Sequence, residues 1–429
     1  MVKSNFNNSA DNLSRRSVLH GLAGSFVALN AMNHFAYAEP KVTKAKGGGS
    51  AKSVIFINVL GGLSHVDSFD IKEANKDAIK ASAPIKTSAD GIRVGKYFPK
   101  IAKHMDKFAV INSMTNTQGA HREAQYLMRT GYERRGTVMH PNLGAWVSKL
   151  ASNTSGSIPS YLKVGEIDSL GAGFFSSKYA ALPIAEPSKG LQYIKRLSDL
   201  DKNAFERRLS LLDKVNKEFE KKVSHQSVAA YRQAYHDAVE LMNSKDLEVF
   251  DLNKENKATH ASYGEDTFGK SCLLARRLVE KGVRFVELSH KDWDDHYGIY
   301  TEFPERAPTF DQGLAALMED LKQRGLLDTT LVVVATEFGR NPELNDRDGR
   351  NHFPSAYTCM LAGGGVKGGQ LYGKTDKLGK EVIENKVKVV DFNATIAHAM
   401  GLPLDHVETS PEKRPFKIAD HGKPITAIF

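Results

Sequence analysis

The sequence predicts an α/β protein built on a doubly wound, mostly parallel sheet with helices on both faces. Short, continuous apolar runs are typical of strands that are covered on both faces, and several occur here. Segments with a helical apolar period lie between these runs, and such alternation favours a parallel sheet. The predicted strands are residues 54–60, 108–111, 283–288, 330–335, 358–361 and 387–390.

Helices are predicted where apolar side chains recur every three or four residues. One such stripe begins at Phe268 and stops before Gly282, and another begins at Phe310 and stops before Gly325. The segment from about residue 197 to 262 is highly charged and begins with the same period. We interpret it as a helical insertion, either a cap or an oligomer surface, whose charges form a solvated face.

Composition excludes several classes of protein. The 429 residues are 41% hydrophobic and 25% charged, which is ordinary for a globular chain. The 59 Lys and Arg are interleaved with 50 Asp and Glu, so the net charge of +9 does not predict a nucleic-acid partner. Cys272 and Cys359 are too few for a disulfide framework or a thiolate zinc finger, and we expect both to be buried. Any metal must therefore be bound by His, Asp and Glu.

The first 38 residues have the pattern of a twin-arginine export signal. Arg15 and Arg16 follow a polar start, and a weakly apolar run covers residues 20–32. Ala36 and Ala38 then form a small-residue cleavage pattern. The alternative is a chance Arg pair before a buried helix.

Residues 39–52 are predicted to be a flexible linker, because they contain a Gly-Gly-Gly-Ser stretch. The folded domain is then expected over residues 53–429. We expect a periplasmic or secreted protein that meets the twin-arginine export machinery. No stable membrane span is expected, since no run of about 18 apolar residues occurs.

Polar residues that suit a metal site follow the first two strands. Ser64 and Asp67 come after residues 54–60, and Asp67 is the best single candidate for a metal ligand; the alternative is a turn-forming Asp. A helix is predicted to begin near Ala120 after residues 108–111, with His121 and Arg122 at its N-terminus. Free N–H groups there could bind an anion. The alternative for Arg122 is a solvent-facing charge.

The later strands are followed by similar residues. Residues 290–296 hold three carboxylates and two imidazoles, of which Asp294 and His296 are the predicted ligands; an acidic surface loop is the alternative. Glu337 leaves the strand at 330–335, and Arg340 is placed to bind an anion. His352 could complete a metal site or could be a solvated loop residue.

These residues lie in segments that resemble the family named domain of unknown function 1501. The resemblance covers residues 53–429. It implies a place in the alkaline phosphatase and sulfatase superfamily, whose members have a doubly wound sheet, metals held by Asp and His at strand ends, and hydrolysis of phosphate or sulfate esters. The segments, in order, are GGLSHVDSFD, HREAQYLMRTGY, CLLARRLVEKGVRFVEL with the nearby WDDH, TEFGRNP, GRNHF and LAGGGVKGG.

The resemblance implies some ligand positions more directly than others. Asp67 matches the first-strand metal carboxylate of the superfamily, and Asp294 with His296 resembles its later Asp and His pair. Glu337 stands where the superfamily usually has an Asp directly followed by His, and His352 could be that His displaced.

The nucleophile is the main departure from the superfamily. The position of the sulfatase nucleophile falls on His121, and no cysteine is near it. Three explanations stay open: a hydroxyl of the preceding loop, direct attack by metal-bound hydroxide, or loss of this chemistry. The loop hydroxyls are Ser113, Thr115 and Thr117.

The leading hypothesis is an exported metal-dependent hydrolase of an anionic phosphate or sulfate ester, either a small molecule or a polysaccharide. One or two divalent ions (zinc, manganese or calcium) would polarise the ester and lower the pKa of water. Arg340, with Arg122, would hold the anionic group, and His121 and Ser64 complete the candidate catalytic residues. The predicted ligands are Asp67, Asp294, His296, Glu337 and His352. The alternatives are a non-catalytic binding or assembly protein and, less favoured, nucleic-acid binding through the insertion.

Overall fold

The computed structural model describes residues 49–151, 153–165, 170–192, 194, 201–222 and 226–429. The predicted export signal at 1–38 lies outside the described residues. So do residues 39–48 of the predicted linker and residues 197–200 and 223–225 of the predicted insertion. Among the helices that are described, none has the length and apolarity of a membrane-spanning segment.

The secondary structure alternates between strands and helices along most of the chain. The strands are β1 (Ser53–Val59), β2 (Pro84–Lys86), β3 (Arg93–Gly95), β4 (Phe108–Thr115), β5 (Tyr161–Val164), β6 (Leu182–Ile184), β7 (Phe285–His290), β8 (Thr330–Thr336), β9 (Gly339–Arg340), β10 (His352–Phe353), β11 (Tyr357–Ala362), β12 (Gln370–Tyr372), β13 (Lys374–Thr375), β14 (Val382–Glu384), β15 (Val387–Lys388), β16 (Val407–Thr409) and β17 (Pro415–Lys417). The α-helices are α1 (Lys76–Ala81), α2 (His121–Thr130), α3 (Leu143–Leu150), α4 (Lys202–Lys222), α5 (Gln226–Asn243), α6 (Lys257–Tyr263), α7 (Thr267–Glu280), α8 (Ile299–Gln323) and α9 (Val389–Ala399).

One nine-stranded sheet forms the centre of the molecule. Its order is β12-β4-β11-β8-β1-β7-β5-β6, and β15 also pairs with β4. All these pairs are parallel except those of β11, which runs antiparallel to both β4 and β8. The predicted mostly parallel sheet is confirmed.

Helices cover both faces of this sheet, as predicted. Successive side chains of a strand point to opposite faces. Ile55 and Ile57 of β1 accordingly join a core to which α7 and α8 contribute, whereas Val54 and Phe56 join a second core with α2, α3 and α9. Both faces of β1 are therefore apolar, which explains its continuous apolar sequence.

Residues 387–390 are predicted to form a strand, but the structure has a strand over only the first two of them. Only Val387 and Lys388 pair with β4, and α9 begins at Val389. The side chain of Asp391 accepts the backbone N–H of Lys388 at 3.2 Å. That bond satisfies an N–H at the helix start, so the chain turns into a helix where apolarity alone favours a strand.

Both cysteines are buried as expected, Cys272 in α7 and Cys359 in β11. The described part of the predicted insertion is mainly helical, formed by α4, α5 and most of α6. α4 exposes Leu211, Val215 and Phe219.

Candidate metal centre

The site lies at the carboxyl edge of the three central strands. Because β1, β7 and β8 are parallel neighbours, the segments that follow them leave the sheet at one edge. Gly61 follows β1, Asp294 follows β7 and Glu337 directly follows β8. His121 is the first residue of α2, and His352 begins β10.

Gly61 lets the segments that follow β1 and β7 approach each other closely. Its φ is 114°, and a Cβ at this position would lie 2.5 Å from the backbone nitrogen of Asp294. Only glycine combines this backbone angle with so close an approach. The exits of β1 and β7 therefore meet directly above the sheet.

Three imidazoles surround one carboxylate oxygen. The Nε2 atoms of His121, His296 and His352 lie 3.1, 3.2 and 3.4 Å from Oδ1 of Asp294. The Nε2 atoms of His296 and His352 are 2.9 Å apart. The side chain of Asp294 is 49% exposed, so solvent and solutes reach this cluster.

The outer nitrogens of two of these rings have acceptors that fix their protons. Nδ1 of His352 lies 2.8 Å from the carbonyl oxygen of Gly119, which can only accept, so this nitrogen carries the proton. Nδ1 of His121 lies 2.7 Å from Oε1 of Glu337 and donates to that carboxylate. Each ring, when neutral, then presents the lone pair of Nε2 to the cluster.

Charges within the cluster shift several pKa values. Burial raises the pKa of Asp294, but the hydrogen bond and charge of Arg340, with the charge of His121, outweigh it and lower that pKa to about 2. Burial opposes the proton on His121, yet Glu337 and Asp294 raise its pKa. Burial lowers the pKa of His352, and the positive charges of Arg340 and His121 add to this. Asp294 is thus ionised, and His352 favours the neutral form.

The donor set fits a divalent metal. One ligand atom from each of His121, Asp294 and His352 lies within 4.8 Å of the others. Nε2 of His121 is buried and makes no hydrogen bond, although it faces the carboxylate. Nε2 of His352 and Oδ1 of Asp294 are both acceptors that face the same space, and a cation between them would satisfy both. Elsewhere in the described chain a comparable group is formed by the exposed residues His236, Asp237 and Glu240 on α5.

Glu337 contacts the imidazole cluster through the ring of His121. Besides the ring of His121, its Oε1 accepts the backbone N–H of Gly61 at 2.9 Å and Nε2 of Gln125 at 3.1 Å. The side chain is buried. These contacts favour a role in orienting His121 and differ from the ligand role that the sequence predicts.

Asp67 and Ser64 lie apart from the imidazoles. Arg350 donates to both oxygens of Asp67, from Nε to Oδ2 at 2.7 Å and from Nη2 to Oδ1 at 3.1 Å. The hydroxyl of Ser64 also donates to Oδ2. All three side chains are buried, so the contacts of Asp67 favour a structural ion pair over the predicted metal ligand.

The two predicted anion-binding arginines differ in their surroundings. Arg340 is fully buried, and its guanidinium donates to the carbonyl oxygens of Gly61, Gly62 and Arg350 as well as to Asp294. It therefore positions Asp294 and the glycine turn. Arg122 is exposed on the first turn of α2, where no side chain caps the helix.

Residues 51–429 match the family described as protein of unknown function (DUF1501). The chain belongs to this family. The resemblance noted from its ordered segments is confirmed, and the match spans every residue of the centre. No match was found among curated proteins.

Several solved structures are similar to this DUF1501 chain. One is a sulfatase from Pseudoalteromonas sp. (13% identity, covering 89% of this chain and 73% of that one, TM-score 0.38). A phosphonate monoester hydrolase from Silicibacter pomeroyi is 11% identical, with 88% and 76% covered and a TM-score of 0.39. A protein in the alkaline phosphatase superfamily from Vibrio parahaemolyticus is 11% identical, with 96% and 78% covered and a TM-score of 0.35. At these values the likeness assigns no activity to the chain.

Two residues of the DUF1501 centre escape sequence reasoning. Arg350 carries no local signal, because its partner Asp67 is 283 residues away. Phe338 reads as an ordinary apolar residue, yet its buried ring packs against His121 and His352, with centroids 4.8 and 4.5 Å apart. The ring of Phe338 therefore restricts the movement of both imidazoles.

The loop hydroxyls considered as nucleophiles are engaged elsewhere in this DUF1501 chain. Ser113 and Thr115 belong to β4, and they donate to the carbonyl oxygens of Asn385 and Val387. Thr117 donates to the exposed Glu133. Their hydrogen bonds favour a structural role.

Proposed function

We propose that this protein is an exported, metal-dependent hydrolase of a phosphate or sulfate ester. The single observation that carries the proposal is the convergence of three Nε2 atoms on Oδ1 of Asp294 at a solvent-accessible sheet edge. The ligands would be His121, Asp294, His296 and His352. A divalent ion bound there would supply positive charge that lowers the pKa of water and offsets the charge of the ester.

The surrounding residues hold the ligands in their binding form. Glu337 and the carbonyl of Gly119 keep the protons of His121 and His352 on Nδ1, so that Nε2 is free to bind. Arg340 fixes the carboxylate of Asp294. Because three of the four ligand side chains are held by neighbours outside the cluster, little reorganisation is needed when an ion binds.

Anion binding is the second requirement of ester hydrolysis. The N-terminus of α2 lies beside the cluster, since His121 is its first residue, and its first-turn N–H groups have no side-chain cap. The helix dipole and the exposed Arg122 both favour a negative group here. This supports an anionic substrate, a small-molecule or polysaccharide ester, with water as the attacking group.

The decisive experiment combines metal analysis with hydrolysis assays. The purified protein is assayed on aryl phosphates and aryl sulfates, with zinc, manganese or calcium added. We expect His296→Ala to lose bound metal and at least about 100-fold in kcat/KM, since it removes a ligand. His421→Asn, at an exposed position outside both candidate metal groups, is the matched control and should keep both.

The outcome separates the two functions that the sequence leaves open. A chain that binds no metal contradicts the proposal. A chain that binds metal but hydrolyses none of the esters favours the non-catalytic binding or assembly protein. Hydrolysis that His296→Ala leaves unchanged places the activity elsewhere.

Export is a separate part of the proposal and rests on the N-terminal sequence. Replacing Arg15 and Arg16 by Lys should hold the precursor in the cytoplasm, because the paired arginines are the feature of the signal. Lys41→Arg with Lys44→Arg, in the linker, is the control. Cell fractionation followed by immunoblotting is the measurement, and unchanged export of the double Lys variant would contradict this step.

A further inference from the structure

We infer that the centre binds one zinc-class transition-metal ion per chain, and that Arg350 is a built-in cation that keeps a second ion from Asp67. The inference rests on the proposed metal centre and deepens it. The sequence leaves both the number of ions and the choice among zinc, manganese and calcium open. The contacts of Asp67 limit the number of ions, and the donor atoms of the cluster limit the choice of metal.

The carboxylate of Asp67 is already neutralised. Its two oxygens accept three hydrogen bonds, two from Arg350 and one from Ser64. Asp67 and Arg350 are both fully buried. A buried carboxylate needs a partner of opposite charge, and the guanidinium supplies it in paired geometry.

A metal ion at Asp67 would have to displace this guanidinium. Arg350 is held on its other side by the carbonyl oxygens of Asn341 and Pro342, to which Nη1 donates. Its backbone is fixed too, because its N–H donates to the carbonyl of Asp295 at 2.7 Å and its carbonyl accepts from Arg340 at 2.9 Å. The side chain cannot swing away without breaking these bonds, and an added cation beside it would be repelled.

Arg350 also connects Asp67 to the segments beside the imidazole cluster. The backbone of Arg350 lies against Asp295 and Arg340, whereas the tip of its side chain reaches Asp67. Asp67 is not part of the group formed by His121, Asp294 and His352. Apart from the exposed group on α5, one cluster of candidate ligands is left in the described chain, and its ligand atoms lie close enough together to share one ion.

The donor atoms of that cluster favour a transition metal. Three of the four are imidazole nitrogens, and one is a carboxylate oxygen. Calcium prefers six to eight oxygen ligands, whereas zinc and related ions bind imidazole well. We therefore expect zinc-class ions to bind and calcium to be rejected.

The test counts ions on the intact wild-type protein. The chain is equilibrated with equal excess zinc and calcium, freed of unbound ions by gel filtration, and analysed by elemental mass spectrometry. One equivalent of zinc with negligible calcium is the expected result. A second ion that persists in His236→Ala, which breaks the exposed group on α5, or calcium in place of zinc, overturns this inference while the proposed metal-dependent hydrolase stands. No ion at all overturns both.

Variants then locate the ion. Asp67→Asn should keep one equivalent of zinc while its unfolding midpoint falls, because Arg350 loses its charged partner. His121→Asn should lose at least 100-fold in zinc affinity. Loss of zinc from a folded Asp67→Asn protein, as judged by circular dichroism, contradicts the inference. If this variant does not fold, Asp67→Asn with Arg350→Met, which removes both charges, replaces it, and the wild-type count remains decisive.

Discussion

A single oxygen of Glu337 accepts hydrogen bonds from His121, Gly61 and Gln125. This arrangement ties the first strand exit to helix α2 and sets the ring angle of His121. Carboxylates that accept the outer N–H of a metal-binding imidazole raise its basicity and fix its orientation. At the residue scale, Glu337 is therefore the strongest test of whether the cluster is a metal centre.

We predict that Glu337→Gln lowers zinc affinity by about 10 to 100-fold with little loss of stability. Glutamine keeps the size of the side chain, but it removes the negative charge that holds the proton on Nδ1 of His121. Competition with a chromogenic chelator measures the affinity. Glu343→Gln is the matched control, since Glu343 is exposed and pairs with Lys380 at the surface. Equal affinities for the two variants would contradict a role for Glu337 behind the ligand.

Residue types near strand ends were predictable, but their partners were not. His121, Asp294, His296 and His352 come together as a cluster, whereas Asp67, which seemed the best ligand from sequence, pairs with Arg350. A carboxylate after a strand serves equally well as a ligand or as an ion-pair partner. Only the position of a residue 283 places away distinguishes the two.

At the scale of elements, the loop at residues 345–351 supports the segment that carries His296. Nδ2 of Asn345 donates to the carbonyl oxygen of His296 at 2.9 Å. Gly349 packs so closely that a Cβ there would lie 2.0 Å from the carbonyl carbon of His296. The two loops therefore fit only if residue 349 has no side chain.

We predict that Gly349→Ala lowers both metal affinity and stability. The clash is with backbone, so one loop must move, and the cost is about 1 to 3 kcal/mol in the free energy of unfolding. His296 moves with its loop, so zinc binding weakens. Gly136→Ala is the control, because nothing lies within 4 Å of a Cβ at that exposed position. Chemical denaturation and zinc titration measure the two effects, and a Gly349→Ala protein equal to this control would refute the coupling.

Elements with a long apolar pattern are where prediction succeeds. The stripes that begin at Phe268 and Phe310 lie in α7 and α8, and the apolar runs at residues 54–60 and 330–335 coincide with β1 and β8. Short elements such as β5 and β6 were missed, since four or three residues carry too little periodicity.

At the scale of the whole molecule, buried histidines make stability depend on pH. His290 ends β7 inside a cage of aromatic rings that includes Phe268, Trp293 and Phe310. Its Nδ1 accepts the indole N–H of Trp293 at 2.8 Å, which requires an unprotonated nitrogen. Burial lowers the pKa of His290 to about 4, and burial also lowers the pKa of His140 to about 4.

We predict that the free energy of unfolding falls as the pH decreases from about 6.5 to about 4. Over this range the unfolded chain binds a proton at His290 that the folded chain resists, so acid favours unfolding. A shift from 6.5 to about 4 amounts to about 3 kcal/mol at most. At pH 7, above the pKa of the unfolded chain, the full contribution of His290 to the free energy of unfolding is present.

The contribution of His290 is isolated by substitution. His290→Gln should unfold with a shallower pH dependence in urea titrations between pH 4 and 7, because the titrating group is gone. His236→Gln, at an exposed position, should follow the wild type. An equally steep dependence for His290→Gln would assign the effect to other groups.

The sequence by itself determined the fold class, the extent of the family match and the kinds of residue that gather at the sheet edge. These follow from apolar periodicity and from the order of short segments, which are local properties of the chain. The tertiary structure decided which residues meet. It brought His121 to Glu337 across 216 residues and Asp67 to Arg350 across 283. Such pairs depend on strand order and on close backbone approaches, which no local pattern encodes. They distinguish the carboxylate that faces the imidazoles, Asp294, from the one that pairs with Arg350, Asp67.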